Sequence, residues 1–374
     1  MPGSPASPPR LEDLGGWPAV LGRLAAGVDL GSAEAGAALA EVLDGNASPA
    51  QIAAFIFGLR CKGETVEEMV GLVASMLRAS ERVVVRPSLA GKMVDTCGTG
   101  GDRSGTINVS TIAALVVAGA GVPVCKHGGR AASSKAGSAD VLEALGVVID
   151  LGPGQVARCI EEAGIGFCFA PRYHPAMRHA VPVRRDLGVP TAFNFLGPLA
   201  NPALVRRQVV GVGDPSMGEK MARVLAEGGA THVLVVHGSG GLDELSTTGP
   251  STMYEWRAPM GSDGSVAPGR IEPVTVDATA LGLAPARVDQ LAGGDAATNA
   301  DLARRVLAGE PGPHRDIVAL NAAAGLVVAG VSDGLEDGLV TAQSCLDDGR
   351  AKGALERLVE VSRSARGSGA RAGD

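Results

Sequence analysis

The sequence lacks a basic surface. Its formal net charge is −7, and dense runs of Lys and Arg are missing outside the arginines of the C-terminal tail. Neutralisation of nucleic acid phosphates needs such a surface, so we expect no nucleic acid partner. Any anionic ligand must therefore be bound by a local site rather than by the field of the whole protein.

Long apolar runs and paired cysteines are missing too. The longest apolar run, IAALVVAGAGVPVC, is shorter than the roughly 18–20 residues of a membrane-spanning helix, so no membrane association is expected. The N-terminal MPGSPASPPR lacks the basic and apolar regions of a secretion signal. The six cysteines are scattered without a CxxC pair, which argues against a disulfide framework or a zinc site and predicts a reducing, cytoplasmic location.

What the sequence does contain is enough apolar material for two domains. Hydrophobic residues make up 45% and charged residues 20% of the 374 residues, which excludes global disorder. We predict disordered tails, rich in small and polar residues, at 1–15 and 366–374. A small all-α domain is predicted over 16–86, with a later helical segment around 175–203 as a candidate addition. A larger α/β domain is predicted over 87–365.

Helix-start signals support the first domain. Ser48-Pro49-Ala50-Gln51 combines an N-cap, a proline at the first helical position and a capping-box glutamine, and Thr65 followed by Glu68 repeats that logic. From Lys92 the pattern changes to a short apolar run, a glycine loop, a helical stretch and a second apolar run. Strand, loop, helix and strand in this order predict a mostly parallel sheet. The predicted strands are KMVDTC, VPVCK, IGFCFAP, RQVVGVG and THVLVVHG.

The glycine loop CGTGGDRSGTINVST, residues 97–111, is unusually bare. The P-loop pattern GxxxxGK[ST] is absent, and GxGxxG begins at Gly98 and Gly100 but meets Arg103 at its last glycine. The loop follows a predicted strand, and Ser110-Thr111 predicts the N-cap of the next helix, where free N–H groups bind anions. On this stretch alone, a plain flexible connection stays an alternative.

A second loop, KHGGRAASSKAGSADVLEALG at 126–146, again follows a strand and opens a helix. It holds Lys126, Arg130 and Lys135, although the whole chain has only six lysines. Two such loops after adjacent strands predict a pocket at the carboxyl edge of the sheet, for a ligand with more than one phosphate. The alternative is a solvated basic turn.

Two further stretches carry charge. Asp243 and Glu244 in GSGGLDELSTTG follow a strand, and vicinal carboxylates near phosphates predict Mg²⁺, with a surface acidic turn as the alternative. Arg178, Arg184 and Arg185 lie on a predicted helix. At least one of them is expected to face the pocket and bind a carboxylate through its forked guanidinium.

Taken together, these motifs resemble the anthranilate phosphoribosyltransferase family. The resemblance covers about residues 17–345 and is carried by DTCGTGGD, NVST, KHGGRAASSKAGSADVLEALG, RRDLGVPTAFNFLGPLANP and GLDEL. It implies a helical domain joined to an α/β domain of the nucleoside phosphorylase-like phosphoribosyltransferase class. It also implies a homodimer and Mg²⁺-dependent transfer of phosphoribose from phosphoribosyl pyrophosphate (PRPP) to the amino group of anthranilate, in tryptophan biosynthesis.

The resemblance also implies roles for individual residues. It places the metal on Ser110, Asp243 and Glu244, and it assigns no general acid or base. The anthranilate residues would be Gly98, His127, Gly129 and Arg184, with Arg184 on the carboxylate. The PRPP residues would be Gly98, Gly101, Asp102, Thr106, Asn108, Val109, Ser110, Thr111, Lys126, His127, Gly128, Gly129, Arg130, Ala131, Ala132, Ser133, Ser134 and Ser138.

Two positions depart from the family pattern. The family normally has Asn, which touches anthranilate, where this chain has Gly129, and it commonly has Gly where this chain has Arg103. Three alternatives stay open at this point. They are a pyrimidine nucleoside phosphorylase, which needs no Mg²⁺, a paralogue acting on a substituted anthranilate, and a non-catalytic relative that only binds phosphoribosyl ligands or nucleic acid.

Overall fold

The computed structural model describes residues 8–102, 104–131, 135–258 and 271–369. The chain divides into two compact units. The helical unit comprises Met1–Glu81 and His174–Ala200, and the α/β unit comprises Arg82–Tyr173 and Asn201–Asp374. These limits differ by a few residues from the domain limits expected at 86/87 and for the segment 175–203.

Helices outnumber strands in the described segments. In chain order the elements are α1 (Gly16–Ala25), α2 (Ser32–Leu43), α3 (Pro49–Lys62), α4 (Val66–Arg78), α5 (Pro87–Ala90), β1 (Val94–Gly98), α6 (Val109–Gly119), β2 (Val124–Gly128), α7 (Ser138–Ala144), α8 (Pro153–Ala163), β3 (Ile165–Phe169), α9 (Ala170–Tyr173), α10 (Val181–Leu187), α11 (Phe193–Leu199), β4 (Arg207–Gly211), α12 (Gly218–Glu227), β5 (His232–His237), β6 (Ser251–Arg257), β7 (Pro273–Val276), α13 (Ala296–Leu307), α14 (Pro313–Ala329), α15 (Leu335–Asp347) and α16 (Arg350–Gly369).

Capping fixes the starts of two helices in the helical unit. At α3 the Ser48 hydroxyl accepts from the Gln51 N–H and the Gln51 side chain accepts from the Ser48 N–H, with Pro49 at the first helical position. Thr65 and Glu68 form the same reciprocal pair at the start of α4. Each pair satisfies two backbone donors that a helix start leaves free, so both predicted capping boxes are confirmed.

The sheet of the α/β unit has the strand order β3-β2-β1-β4-β5-β6-β7. The strands from β3 to β5 are parallel, and β6 and β7 add to this sheet in antiparallel orientation. The five predicted strands are confirmed within about two residues, whereas β6 and β7 were not predicted. The strand–loop–helix–strand unit formed by β1, α6 and β2 is confirmed as well.

The core of the α/β unit is centred on α6 and α14. Both helices are buried on most of their surface, α14 packs against α6, and α16 packs against α6 and α8. A helix that is apolar on all sides belongs inside a domain, and this burial gives the loop before α6 a rigid support. None of the helices in the described segments is long and apolar enough to cross a bilayer.

Three predictions about chain ends and helix starts were wrong. Leu11 is buried and Glu12–Leu14 form a 3₁₀ turn, so the described part of the predicted N-terminal tail is ordered. Helix α16 continues beyond residue 365 to Gly369, because its inner face is buried in the core and the Gln155 amide donates to the Ala365 carbonyl. Helix α6 begins at Val109 with Asn108 as N-cap, rather than at Ser110-Thr111.

Candidate functional site

The site is built where β1 and β2 end. These strands are parallel neighbours, so the loops that follow Gly98 and Gly128 leave the same edge of the sheet. We call residues 99–108 the β1 loop and residues 129–137 the β2 loop. Arg103, Ala132, Ser133 and Ser134 lie outside the described residues.

The end of β1 and the β1 loop need their glycines for two different reasons. Gly100, Gly101 and Gly105 have φ values of 65°, 78° and 65°, which side-chain-bearing residues rarely adopt. Gly98 is required by a close approach, because a Cβ atom there would lie 2.3 Å from Oδ2 of Asp243. The alternative of a plain flexible connection is therefore wrong, since this loop is shaped around the acidic turn.

The acidic turn, Asp243-Glu244, is held against the β1 loop by backbone donors. The Gly100 N–H donates to Oδ2 of Asp243 at 2.7 Å, and the Ser110 N–H donates to Oε1 of Glu244 at 3.0 Å. Ser110 is in the first turn of α6, so Glu244 uses one of the free donors of that helix N-terminus. Gly211, at the end of β4, has no room for a Cβ atom because the Asp243 carbonyl oxygen occupies that position.

Both carboxylates are desolvated. Burial raises the pKa of Asp243 to about 7, and the neighbouring Asp102 carboxylate adds to the rise. Burial, and then the charge of Asp243, raise the pKa of Glu244, although the charge of Lys126 opposes the rise. Within the described residues neither carboxylate forms an ion pair with Lys or Arg at contact distance. A bound cation would offset this unbalanced charge.

The donor set fits Mg²⁺. Two vicinal carboxylates are hard oxygen ligands, and Mg²⁺ commonly takes one or two protein carboxylates together with phosphate oxygens and water. Among the described residues no group of three or more Asp, Glu, His or Cys side chains is arranged to hold a metal by itself. The Ser110 hydroxyl, the remaining predicted ligand, accepts from the Lys126 ammonium at 3.3 Å.

Lys126 has a different environment from the one its sequence position suggests. It lies inside β2, its side chain is 2% exposed, and its ammonium donates to the Thr96 carbonyl as well as to Ser110. The alternative of a solvated basic turn is wrong for this residue. Through its hydrogen bond to the Ser110 hydroxyl, Lys126 stabilises the N-terminal turn of α6.

The two other cationic side chains of the β2 loop, Arg130 and Lys135, have a different environment from that of Lys126. The Arg130 guanidinium, half exposed, pairs with Asp140 at 2.7 Å and Glu143 at 2.6 Å and lies over the Phe169 ring. Lys135 is exposed. The solvated interpretation therefore holds for the two side chains that the sequence pattern grouped with Lys126.

The remaining predicted PRPP residues are brought together at the two loops. Thr111 donates to the Ser138 hydroxyl at 3.0 Å and thereby joins the start of α6 to the start of α7. Val109 is buried, so only its backbone faces the loop region. Asp102 accepts from the Ser104 N–H, and the Thr106 hydroxyl lies 3.1 Å from the Ser104 hydroxyl.

Three predicted residues surround the end of β2. The His127 N–H donates to Oδ1 of Asp95 at 3.2 Å, and its side chain is buried. A Cβ atom on Gly128 would crowd Ser138, at 3.2 Å, whereas the nearest described atom to a Cβ atom on Gly129 would be the Ala170 Cβ at 4.0 Å. The β2 loop is closed by the Asp140 carboxylate, which accepts from the N–H groups at positions 131 and 137.

Arg184 belongs to the helical unit, on α10. Its guanidinium lies 5.5 Å from the centre of the Phe193 ring, and burial lowers its pKa. It has no carboxylate partner among the described residues. Arg185 is 79% exposed, and among the described residues Arg178 donates only to the Pro175 carbonyl, so Arg184 is the desolvated member of the predicted trio.

Sequence reasoning missed Asp95, which underlies the site. This fully buried carboxylate accepts from the His127 N–H and from the Asn201 amide at 2.8 Å, and burial raises its pKa although Lys126 opposes the rise. The available signal was a carboxylate inside the apolar run KMVDTC. A charge in a buried strand must be hydrogen-bonded, and the bonds here fix the end of β2.

Family comparisons define first the class of this protein. Residues 90–352 match the glycosyl transferase family, a/b domain, and residues 18–80 match the helical bundle domain of the same family. The helical domain, the mostly parallel sheet and the loops at its carboxyl edge are thus those of a glycosyl transferase of this α/β class.

The individual relatives narrow the class. The chain is 50% identical over 355 residues to the anthranilate phosphoribosyltransferase of Salinispora arenicola, covering 94% of this chain and 98% of the relative. It is similar to the crystal structure of the Thermus thermophilus enzyme, with TM-score 0.83, 41% identity and coverage of 92% and 99%. It also resembles the Saccharomyces cerevisiae enzyme in complex with PRPP and Mg, with TM-score 0.82, 25% identity and coverage of 93% and 98%. The chain belongs to the anthranilate phosphoribosyltransferase family, which confirms the resemblance found in the sequence.

Proposed function

We propose that this protein transfers the 5-phosphoribosyl group from PRPP to the amino group of anthranilate, with release of pyrophosphate, in tryptophan biosynthesis. The observation that carries this proposal is the acidic turn seated on the β1 loop. Asp243 and Glu244 are desolvated, form no ion pair with a described Lys or Arg, and are fixed by backbone N–H groups of the β1 loop and of the first turn of α6.

The β1 loop supplies donors for phosphate oxygens. The N–H groups of Gly101, Asp102 and Asn108 make no hydrogen bond to other described residues. They lie in the loop before α6, where the helix dipole favours negative charge. These donors support PRPP binding by the residues that the resemblance assigned, with the Arg130 side chain contributing less because Asp140 and Glu143 already engage it.

Asp243, Glu244 and the Ser110 hydroxyl would hold Mg²⁺. When bound, the cation would neutralise the charge that develops on pyrophosphate as it leaves. The bond between ribose C1 and the pyrophosphate oxygen breaks with oxocarbenium character, and the leaving group takes the electron pair. The N–H donors of the β1 loop are fixed before the reaction and stabilise that charge without reorganisation.

The acceptor is positioned rather than deprotonated in advance. The amino group of anthranilate is an uncharged nucleophile, so holding it in line with C1 contributes much of the rate, and no general base is assigned. Arg184 would bind the anthranilate carboxylate, since its guanidinium is desolvated and has no described carboxylate partner. Gly98, His127 and Gly129 would flank the aromatic ring.

We also propose a cytoplasmic homodimer formed through the helical unit. Ala50, Ala54, Phe57 and Cys61 form an exposed apolar stripe on α3, with Phe57 47% exposed. All six cysteines, each in a described part of the chain, are free thiols, as suits a reducing compartment. Light scattering should give a dimer mass for the natural protein, and Phe57→Glu should shift it towards the monomer. A monomeric natural protein would contradict this part of the proposal.

The fluorescence of anthranilate tests the proposed reaction. PRPP and Mg²⁺ together should cause loss of this fluorescence, and omission of either should abolish the loss. Phosphorolysis of uridine or thymidine without Mg²⁺ would instead favour a pyrimidine nucleoside phosphorylase, against which the Asp243-Glu244 pair argues. PRPP binding without any turnover would favour a non-catalytic relative. Absence of reaction with any anthranilate would defeat the assignment.

A further inference from the structure

A distant segment of the α/β unit closes the β1 loop. Residues 291–294, which we call the strap, run beside the loop: the Ile107 N–H donates to the Leu291 carbonyl at 3.2 Å, and the Gly293 N–H donates to the Gly105 carbonyl at 2.8 Å. Thr106 and Ala292 pair between these bonds as an isolated antiparallel bridge. The strap therefore pairs with the loop as one short strand pairs with another, and these bonds fix the loop backbone.

The strap tolerates no side chain at Gly293. A Cβ atom there would lie 2.6 Å from Oδ1 of Asn299 and 2.8 Å from the Thr106 carbonyl oxygen. This contact with Asn299 is the start of a chain of side-chain bonds. Asn299 lies in the first turns of α13 and is 2% exposed.

The donor and the acceptor of each bond in this series follow from the backbone groups at its two ends. The backbone nitrogen of Gly294 can only donate, so the Asn299 atom that lies 2.7 Å from it is the carbonyl Oδ1. Nδ2 of Asn299 must then donate to Oδ1 of Asn108, at 2.8 Å, which leaves Nδ2 of Asn108 to donate to the Ala136 carbonyl at 3.0 Å. We call this series the amide relay. It joins α13 to the β1 loop and the β1 loop to the β2 loop.

The relay has only one satisfied arrangement. Reversing either amide would place an N–H against an N–H at Gly294 or a carbonyl against a carbonyl at Ala136, and a buried polar group left unpaired destabilises the arrangement. Asn108 is thus held from two sides, and its side chain is occupied by the relay rather than by capping α6.

We propose that Asn299 is a positioning residue for PRPP: it touches no substrate, and through Asn108 it holds the β1 and β2 loops at the spacing that the phosphate groups require. This proposal rests on the proposed function for the identity of the ligand. Neither the motifs that carried the family resemblance nor the predicted site residues included Asn299.

Asn299→Ala is the first test. Loss of the relay should raise the KM for PRPP about tenfold, since one buried hydrogen-bond partner is removed, and should change the KM for anthranilate less than twofold. Ser362→Ala is the matched control, because Ser362 is equally buried and accepts from the Val148 N–H outside the two loops. The control should keep both KM values. A fall in kcat with both KM values unchanged would overturn the proposal.

A double-mutant cycle with Asn108→Ala shows whether Asn299 acts through Asn108. If it does, adding Asn299→Ala to Asn108→Ala should raise the KM for PRPP by less than about threefold, although it raises it about tenfold alone. A full tenfold effect in both backgrounds would mean that Asn299 acts by another route and would overturn the relay.

A readout that needs no substrate separates the relay from the proposed reaction. In Asn299→Ala the Ile107 and Gly293 amides, which join loop and strap, should exchange with solvent at least about tenfold faster than in the natural protein, while amides of β5 keep their rates. If the natural protein fails to use anthranilate but this selective exchange appears, the proposed function fails and the relay stands. Unchanged exchange at both amides would overturn the relay, whatever the reaction.

Discussion

Burial disfavours charge on the acidic turn of the α/β unit and on two basic side chains of the helical unit. In the α/β unit the pKa values of Asp243 and Glu244 are raised, whereas in the helical unit the pKa values of His174 and Arg184 are lowered. Desolvation is the largest cause in all four, since burial disfavours whichever form is charged. Many other charges, such as Arg223 with Glu219, are placed in exposed ion pairs.

The opposite charges of these groups indicate which kind of ligand each unit would bind. The α/β unit has two desolvated carboxyl groups whose charge a metal cation would balance, and the helical unit has a partly buried guanidinium whose charge a carboxylate ligand would balance. His174 needs no ligand to balance a charge, because its lowered pKa keeps the imidazole neutral at pH 7. The same desolvation therefore supports the proposed cation site in one unit and the proposed anion site in the other.

The largest effect is expected when the negative charge is removed. Asp243→Asn combined with Glu244→Gln should lower kcat at least about a hundredfold, because the metal and the charge balance of the leaving group are both lost. The melting temperature should not fall, since amides are buried more easily than unpaired carboxylates and can still accept from Gly100 and Ser110. Steady-state assays check the fall in kcat, and thermal melts without Mg²⁺ check the melting temperature.

Asp277→Asn is the control for this pair, because Asp277 accepts from the Thr279 N–H in an exposed turn. It should leave turnover unchanged. A double variant that melts normally and keeps near-normal turnover would remove the metal assignment from Asp243 and Glu244.

In the helical unit, the proposed site for a carboxylate depends on Arg184. Arg184→Ala should raise the KM for anthranilate about tenfold to a hundredfold and change that for PRPP little, because bonds to charged groups contribute roughly 1.5–3 kcal/mol. Arg185→Ala, on the same helix but 79% exposed, is the matched control and should resemble the natural protein. Arg184→Lys should recover only part of the loss, since lysine lacks the planar fork. Equal effects on both substrates would move the carboxylate contact to another residue.

The fold could be predicted where the pattern is local. Loops and helices between the apolar runs identified the five parallel strands, but β6 and β7 were missed. β6 alternates buried and partly buried residues, and β7 begins at Pro273 on the sheet edge with three of its four residues exposed. Both the alternating strand β6 and the edge strand β7 lack the continuous apolar run of a strand covered on both faces.

The site could be predicted only as a set of segments. Motifs placed the two loops and the acidic turn together, yet the contact of Gly100 with Asp243 spans 143 residues and that of Asn108 with Asn299 spans 191. Whether Lys126 is solvated or buried depends on α6 covering β2, which residue spacing does not encode. Tertiary packing therefore decides which of the predicted cations are free to act.

A smaller effect concerns the buried histidine of the helical unit. Burial lowers the pKa of His174 to about 4, against an ordinary value of 6.5. Between these values the unfolded chain binds a proton that the folded protein excludes, so stability is full above pH 6.5 and falls as the pH drops towards 4. The loss should be at most about 3 kcal/mol, and His174→Gln should reduce this dependence.

The two tryptophans allow the units to be followed separately. Trp17 packs edge-on against Phe55 in the helical unit, and Trp256 donates to the Ala230 carbonyl in the α/β unit. With Trp256→Phe, the Trp17 fluorescence should report unfolding of the helical unit at lower urea concentration at pH 5 than at pH 7. A pH dependence that persists unchanged in His174→Gln would assign it to other groups.

The smallest effect is expected at Gly129, where the resemblance implies a departure from the family pattern. The backbone there is outside the left-handed region, and among the described residues a Cβ atom would come no closer than 4.0 Å to Ala170, so a side chain can begin at this position without backbone strain. Gly129→Asn should raise kcat/KM for anthranilate about two- to fivefold through one added polar contact, and should exclude methyl- and chloro-anthranilates that the natural protein accepts. Gly91→Asn, at an open glycine outside the loops, is the control. The measurement is the ratio of kcat/KM for anthranilate to that for each substituted anthranilate. An unchanged ratio would show that position 129 does not face the acceptor, and the specificity would then rest on Arg184 and the shape of the pocket alone.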